Sequence, residues 1–169
     1  MPINLRPATI NDLELLKHWD TQQHVIDAGD DEDWNWEYEL PRNVSWRELL
    51  IAELDERSIG FIQIIDPYEE ETHYWGDVEP NQRAIDIWIG EKEDLGKGYG
   101  TIMMKLAIKR CFADEKVTGI LIDPLVTNLR AIRFYNRLGF EVLGERILDG
   151  DEVLVMTFYE KYFSSNYRG

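Results

Sequence analysis

The feature that most constrains the fold is a glycine-rich segment that leads directly into an amphipathic helix. The stretch "EDLGKGYGTIMMKLAIKRCF", residues 93–112, places Gly96, Gly98 and Gly100 within five residues. Glycine in a helix or strand costs about 0.5–1 kcal/mol relative to alanine, so this spacing needs a reason. Glycines let backbone N–H groups approach a ligand, and the first N–H groups of a helix lack intrahelical partners. The combination is typical of a phosphate-binding site, although a tight strand-to-helix connection without a ligand would use the same residues.

Two known glycine motifs do not match this segment. A P-loop requires G-x-x-x-x-G-K-[ST], and no Lys-Ser or Lys-Thr follows a glycine at that spacing. The dinucleotide-binding fingerprint requires G-x-G-x-x-G, whereas the spacing here is G-x-G-x-G. The phosphate-binding hypothesis therefore rests on backbone chemistry and on Lys97, a positive charge in an acidic chain.

Length and charge exclude several classes of protein. A chain of 169 residues predicts one domain, residues 1–169. A net charge of -15 argues against nucleic-acid binding and favours a cationic partner, although acidity could simply keep the protein in solution. The sequence has no apolar run of about 20 residues and no signal-peptide pattern, so we expect no membrane partner. With a single cysteine, Cys111, the chain fits the reducing cytoplasm.

The periodicity of apolar residues predicts a mixed fold. Strands are predicted at 3–8, 49–54, 59–65, 83–90, 119–123, 140–148 and 152–160, and helices at 10–22, 35–40, from the glycines to 112, and at 128–138. Thr9 and Asp12 form a predicted capping box, and Asp149-Gly150 is a predicted hairpin turn. The polar stretch 55–58 is a second predicted turn, between the strands at 49–54 and 59–65. On the helix after the glycines, the predicted apolar stripe is Ile102, Met103, Leu106, Ala107 and Cys111. This order predicts an α+β fold, a single mixed, mostly antiparallel sheet of about six to seven strands with helices on both faces.

A second segment, read together with the glycine loop, resembles a known protein family. Residues 121–144, "LIDPLVTNLRAIRFYNRLGFEVLG", carry Asn128, Ala131, Tyr135 and the pair Gly139-Phe140. Together with "LGKGYGT", this segment resembles the GNAT superfamily of N-acetyltransferases, over residues 3 to about 160. In that family an R/Q-x-x-G-x-G/A loop holds the pyrophosphate of acetyl-CoA. Leu95 stands at the Arg/Gln position, a departure that leaves the backbone donors in place.

The resemblance implies a set of residues that bind acetyl-CoA. They are Ile87, Trp88, Ile89, Leu95, Gly96, Lys97, Gly98, Tyr99, Gly100, Thr101, Asn128, Ala131 and Tyr135. Backbone N–H groups of the 87–89 strand would polarise the acetyl carbonyl. Asn128 would hold the pantetheine arm, although a simple helix cap is the alternative for that residue.

Acetyl transfer to an amine needs a base, because an alkylammonium has a pKa of about 10.4. Asp86 lies in the middle of the strand "AIDIW", where a carboxylate is disfavoured unless a site needs it, so it is the candidate base. Tyr135 matches the family tyrosine that serves as general acid for the leaving thiolate. The alternatives are a water-facing Asp86 and a core Tyr135. No metal is expected, because His18, His24 and His73 lack ligand spacing.

A narrower resemblance points to the acceptor. "RAIDIWIGEKEDLGKGYGT" and "DPLVTNLRAIRFYNRLGFE" are similar to the aminoglycoside 6′-N-acetyltransferases, which implies a small cationic amine as substrate. Two acidic and aromatic loops, with Asp86 and Asp123, would bind it; their residues are Asp30, Asp31, Trp34, Glu71, Tyr74 and Trp75, with Glu70 beside them. Solvated loops anchored by their aromatic residues are the alternative.

Three further activities stay open from the sequence. The acceptor could be a protein or peptide amine, or a siderophore precursor, and the chain could also be a non-catalytic acetyl-CoA-binding module. Asp86 and Tyr135 favour an enzyme over that last class. A monomer and a homodimer are equally compatible with the sequence.

Overall fold

The computed structural model describes residues 2–29 and 33–167 of the chain. The strands are β1 (Ile3–Pro7), β2 (Arg47–Leu54), β3 (Arg57–Ile65), β4 (Gln82–Ile89), β5 (Gly119–Ile122), β6 (Glu141–Leu148) and β7 (Asp151–Tyr159). The helices are α1 (Leu13–Asp20), α2 (Gln23–Asp27), α3 (Trp36–Glu39), α4 (Tyr99–Phe112), α5 (Leu129–Leu138) and α6 (Glu160–Asn166). Among these described helices, none has the length and apolar character needed to cross a bilayer.

The seven strands form one sheet in the order β1-β2-β3-β4-β5-β7-β6. β4 and β5 are parallel, whereas β1 and β2, β5 and β7, and β6 and β7 are antiparallel. The predicted α+β class and the mixed, mostly antiparallel sheet are therefore confirmed. The β4–β5 ladder pairs Gln82 with Gly119 through Ala84 with Leu121, and β4 then continues to Ile89.

Two hairpin turns show how local chemistry sets strand register. Asp149 and Gly150 both have left-handed backbone, with φ of 49° and 85°, as a two-residue hairpin turn requires. Asp55 and Glu56, with φ of 49° and 70°, form the other turn. The predicted four-residue turn at 55–58 is therefore too long, because β3 already begins at Arg57.

The predicted helix at 10–22 is interrupted in the structure. A single 3-10 turn covers Ile10–Asp12, α1 follows, and α2 begins after Gln22. The Thr9 capping box is confirmed, and Arg6 donates two hydrogen bonds to the Asp12 carboxylate at 2.8 and 2.9 Å. These two hydrogen bonds fix the start of the helical segment against β1.

The chain divides into two compact units. The first comprises the described residues up to Gln63 together with Asp86–Ala107, and the second comprises Ile64–Ile85 and the described residues from Ile108 onward. The boundaries fall inside β3, β4 and α4. The single domain over residues 1–169 stays a prediction.

The core of the first unit is rich in tryptophan. Trp19, Trp36, Phe61 and Trp88 are all buried. Phe61 and Trp88 have ring centroids 4.5 Å apart, and the half-buried Trp34 stacks on Trp36 at 4.6 Å. Rings of this size contribute large apolar areas, so this cluster fixes the segment that carries Trp34 and Trp36 against β3 and β4.

Gly90, directly after β4, lies against the indole of Trp19. A Cβ at this position would lie 2.0 Å from Trp19 Cε2. We expect Gly90→Ala to lower the free energy of unfolding by about 1–3 kcal/mol, because the buried ring must move, as urea unfolding would measure. Gly119→Ala is the control, since its Cβ would meet Phe158 O at an ordinary 3.4 Å. Equal losses in the two variants would contradict this packing.

Phenylalanine residues dominate the core of the second unit. Phe112, Phe140 and Phe158 are fully buried, and Phe163 of α6 stacks on Phe112 at 4.8 Å. Helix α6 is not among the helices predicted from the sequence. Its anchor is this single buried ring, which gives too short a pattern for periodicity to reveal.

Helix α4 buries a broader face than its predicted stripe. The buried residues are Met103, Met104, Ala107, Ile108, Cys111 and Phe112. Ile102, predicted to be part of the stripe, is 42% exposed, and Leu106 is half-buried. The buried stripe is therefore rotated by about one residue from the predicted one.

Candidate active site

The glycine loop has the backbone geometry expected of an anion-binding turn. Gly96 and Gly98 have left-handed φ of 74° and 82°, and no atom lies within 4 Å of where their Cβ atoms would be. Their requirement for glycine is therefore conformational rather than steric. Helix α4 begins at Tyr99, so Gly100 already lies in its first turn, where N–H groups lack intrahelical partners. Lys97 is exposed beside them, and Leu95 and Thr101 are half-buried.

An ion pair holds the start of this loop. Asp94 is 3% exposed and accepts two hydrogen bonds from Arg57 of β3, at 2.8 and 3.0 Å. A bidentate guanidinium–carboxylate pair fixes both distance and orientation. The pair therefore anchors the residue two positions before Gly96 to the sheet.

Asp86 lies in β4 and accepts a hydrogen bond from the neighbouring strand, β3. Gln63 Nε2 of β3 donates a hydrogen bond of 2.6 Å to Asp86 Oδ2. Gln63 itself is buried, with 9% exposure. The carboxylate is therefore held by a side chain that is fixed inside the sheet.

The Asp86 carboxylate is both open to water and partly desolvated by the protein around it. Water reaches the side chain, which is exposed, yet protein atoms around the carboxylate raise its pKa. The hydrogen bond from Gln63 opposes part of that rise. The net rise brings the pKa of Asp86 closer to that of an effective base at neutral pH.

The rest of β4 is fixed by the first unit. His24 contacts the carbonyl oxygen of Ile89 through Nε2 at 2.8 Å, and Trp88 packs on Phe61. Ile87 and Ile89 are half-buried. The part of β4 that follows Asp86 is thus held by contacts at Trp88 and Ile89.

Helix α5 carries three of the predicted acetyl-CoA residues. Asn128 is its N-cap, and Asn128 Oδ1 accepts a hydrogen bond of 3.2 Å from the N–H of Ala131. Asn128 therefore caps the helix, which was the alternative to binding the pantetheine arm. The cap uses only the amide oxygen, so the amide nitrogen could still contact a ligand. Tyr135 is half-buried, and its ring meets Phe140 edge-on at 5.7 Å.

Glu70 organises the loop after β3 instead of facing outward. It is 5% exposed and accepts hydrogen bonds from Thr72 Oγ1 at 2.6 Å and from Tyr74 N at 3.1 Å, as well as from the N–H of Thr72. Burial raises the pKa of Glu70, but these hydrogen bonds lower it by more. The oxygens of Glu70 therefore serve its own loop, and its place beside the acceptor stays a prediction.

The structure brings some predicted acceptor residues together. Tyr74 Oη donates a hydrogen bond of 2.5 Å to Asp123 Oδ2 after β5. Trp75 meets Tyr74 edge-on at 5.6 Å but is 7% exposed, so its ring anchors the loop. Glu71 is exposed.

Trp34, Asp30 and Asp31 complete the set of predicted acceptor residues. Trp34 meets Trp88 edge-on at 5.9 Å in the first unit. Asp30 and Asp31 lie outside the described residues. The binding roles of all these residues stay predictions.

Sequence reasoning missed Gln63 and the Arg57–Asp94 pair. One signal was available for Gln63, which is the lone side chain with a polar group in the buried run "IGFIQII", 59–65. No local signal marks Arg57 as the partner of Asp94, because 37 positions separate them. In the described part of the chain, no cluster of three His, Cys, Asp or Glu residues is arranged to hold a metal ion.

The left-handed glycines directly before α4 have a geometry that suits a phosphate-bearing ligand, and comparisons with known proteins identify the family. The family model described as an acetyltransferase (GNAT) domain matches residues 9–148. The aminoglycoside N(6′)-acetyltransferase type 1 of Klebsiella pneumoniae is 31% identical over 151 residues, covering 84% of this chain and 75% of that protein. The chain therefore belongs to the GNAT acetyltransferase family, which confirms the resemblance read from the sequence.

Two more relatives bear on the acceptor. The crystal structure of aminoglycoside acetyltransferase AAC(6′)-Ib with coenzyme A and kanamycin matches 99% of this chain and all of that chain, at 28% identity and a TM-score of 0.89. The spermine/spermidine N(1)-acetyltransferase of Bacillus subtilis is 32% identical over 71 residues, which is 42% of this chain and 47% of that protein. The aminoglycoside enzymes thus match over more of the chain than this polyamine enzyme does.

Proposed function

We propose that this chain acetylates a primary amine of an aminoglycoside-like amino sugar with acetyl-CoA as the donor. One observation carries the proposal: Asp86, a water-accessible carboxylate with a raised pKa, lies in the strand before the glycine loop. Relatives named as aminoglycoside acetyltransferases support the choice of acceptor. The net charge of -15 suits a polycationic substrate. A role in antibiotic resistance follows from this activity.

The loop fits the donor that the family uses. The left-handed Gly96 and Gly98 leave open space where side chains would be, so backbone N–H groups from Gly96 to Thr101 can approach a pyrophosphate. When bound, acetyl-CoA supplies an acetyl group activated as a thioester. Asn128 and Ala131 would contact its pantetheine arm at the start of α5.

Three groups of the chain would carry the chemistry. Asp86 would orient the acceptor ammonium and take one of its protons, which frees the lone pair of the nitrogen to bond to the acetyl carbon. The nitrogen would lose a second proton to solvent as the amide forms. Backbone N–H groups of Ile87, Trp88 and Ile89 would stabilise the negative charge on the carbonyl oxygen. Tyr135 would give its hydroxyl proton to the sulfur as the carbon–sulfur bond breaks. On the acceptor side, Glu71 and Asp123 would pair with further ammonium groups.

A panel of acceptors tests the proposal. Release of free CoA thiol is measured at constant acetyl-CoA with kanamycin-type aminoglycosides, spermidine, hydroxylysine derivatives and basic peptides. We expect turnover with the aminoglycosides, and mass spectrometry with NMR should place one acetyl group on a primary amine. Turnover with spermidine or peptides alone would overturn the acceptor assignment. Acetyl-CoA binding without turnover of any acceptor would favour a non-catalytic module or an acceptor of another class.

A further inference from the structure

Gln63 is an unusual residue for its position. It lies in β3 within a run of buried residues from Ile59 to Ile65, and only 9% of it is exposed. Burying an amide costs free energy unless its polar atoms are hydrogen-bonded. Its amide nitrogen meets that need by donating to Asp86 Oδ2 at 2.6 Å. A polar group has thus been kept in a buried strand where it meets the candidate base.

The contact restricts how the Asp86 carboxylate can turn. A carboxylate only accepts hydrogen bonds, so the amide nitrogen, not the amide oxygen, must face it when it is ionised. Gln63 lies in the sheet, and its hydrogen bond to Oδ2 restricts rotation of the Asp86 carboxylate. The Asp86 side chain is nevertheless open to water, so it can meet a second donor.

We propose that Gln63 is a positioning residue for acetyl transfer, which holds one oxygen of Asp86 so that the other faces the acceptor ammonium. The proposal rests on the proposed function, because it assigns Asp86 to the amine. A positioned base accelerates proton transfer only if its geometry is kept through the reaction. Gln63 acts through Asp86 and needs no contact with the acceptor.

The charged side chains of the same two strands are engaged elsewhere. Arg57 of β3 pairs with Asp94, and Arg83 of β4 pairs with Asp66 and Asp114 at 3.4 and 3.6 Å. On β3 and β4, the hydrogen bond that bears on the ionisation of Asp86 is therefore the one from Gln63.

Gln63→Met tests the proposal, because it keeps length and removes the amide. We expect kcat to fall about tenfold or more and the acidic limb of kcat/KM to move up by about one pH unit, since the hydrogen bond favours the ionised carboxylate. The dissociation constant for acetyl-CoA should not change. Gln63→Glu should move the limb further, because two neighbouring carboxyls share a proton. Thr157→Val, a buried polar change in β7, is the control and should leave the limb in place.

Two measurements separate positioning from a structural role. In the Asp86→Asn background, Gln63→Met should cause little further loss of kcat, as a double-mutant cycle reveals for residues that act together. Carbon-13 NMR titration of the Asp86 carboxyl without acceptor should show a higher midpoint in Gln63→Met. Additive losses, an unmoved midpoint, or a raised acceptor KM with unchanged kcat would overturn the proposal. Failure of the proposed function would differ, because the wild-type enzyme itself would not acetylate aminoglycosides.

Discussion

Asp86→Asn is expected to lower kcat by about 10²–10⁴-fold, the usual contribution of a positioned base. The substitution keeps the size of the side chain, and the amide oxygen of asparagine can still accept the hydrogen bond from Gln63. It removes the charge that orients the ammonium and the group that takes its proton. Initial rates with an aminoglycoside across pH would measure the loss, and the acidic limb of the wild-type profile should disappear.

Stability should respond to the same substitution in the opposite direction. Because the pKa of Asp86 is raised in the folded protein, its ionised form is less favourable there than in the unfolded chain. The charge therefore opposes folding above the unfolded pKa, and this effect disappears below it, where both states are protonated. We expect Asp86→Asn to keep or raise Tm at neutral pH and to bind acetyl-CoA like the wild type. Near-wild-type turnover, or a marked fall in Tm, would contradict a catalytic role.

Features governed by neighbouring residues could be predicted from the sequence. Asp149-Gly150 specified its hairpin because both residues adopt left-handed backbone, and Thr9 with Asp12 specified the start of the first helical segment. The alternation in "AIDIW" placed Asp86 in a strand, and the glycines marked the turn before α4. Each of these signals lies within a few residues, where backbone preferences decide the outcome.

Features governed by distant partners could not be predicted in this way. The Gln63–Asp86 hydrogen bond spans 23 positions and the Tyr74–Asp123 hydrogen bond spans 49. Composition marked the loop after β3 as acidic and aromatic, but only packing shows that Trp75 points inward and Glu70 serves its own loop. The sequence therefore identified which segments matter before it could say which side chains in them are available to a ligand.

Gly98→Ala is expected to weaken acetyl-CoA binding by at least about tenfold, because the loop cannot keep its shape. Gly98 has a φ of 82°, a conformation that costs an alanine about 1–2 kcal/mol. No atom lies within 4 Å of the added methyl group, so backbone strain, and not a clash within the chain, is the cause. Relief of that strain turns the N–H groups of the loop away from the pyrophosphate. Calorimetric titration with acetyl-CoA measures the effect directly.

Gly150→Ala is the matched control for this loop. Gly150 has a φ of 85° and equally open space at its Cβ position, but it lies in the hairpin between β6 and β7. The two variants should lose similar free energies of unfolding, of about 1–2 kcal/mol, which corresponds to a fall in Tm of about 2–8 °C. Only Gly98→Ala should lose affinity for acetyl-CoA. Equal affinities for acetyl-CoA in the two variants would contradict a binding role for the glycine loop. Backbone strain would then explain the loss of stability in both, and the loop would only connect β4 to α4.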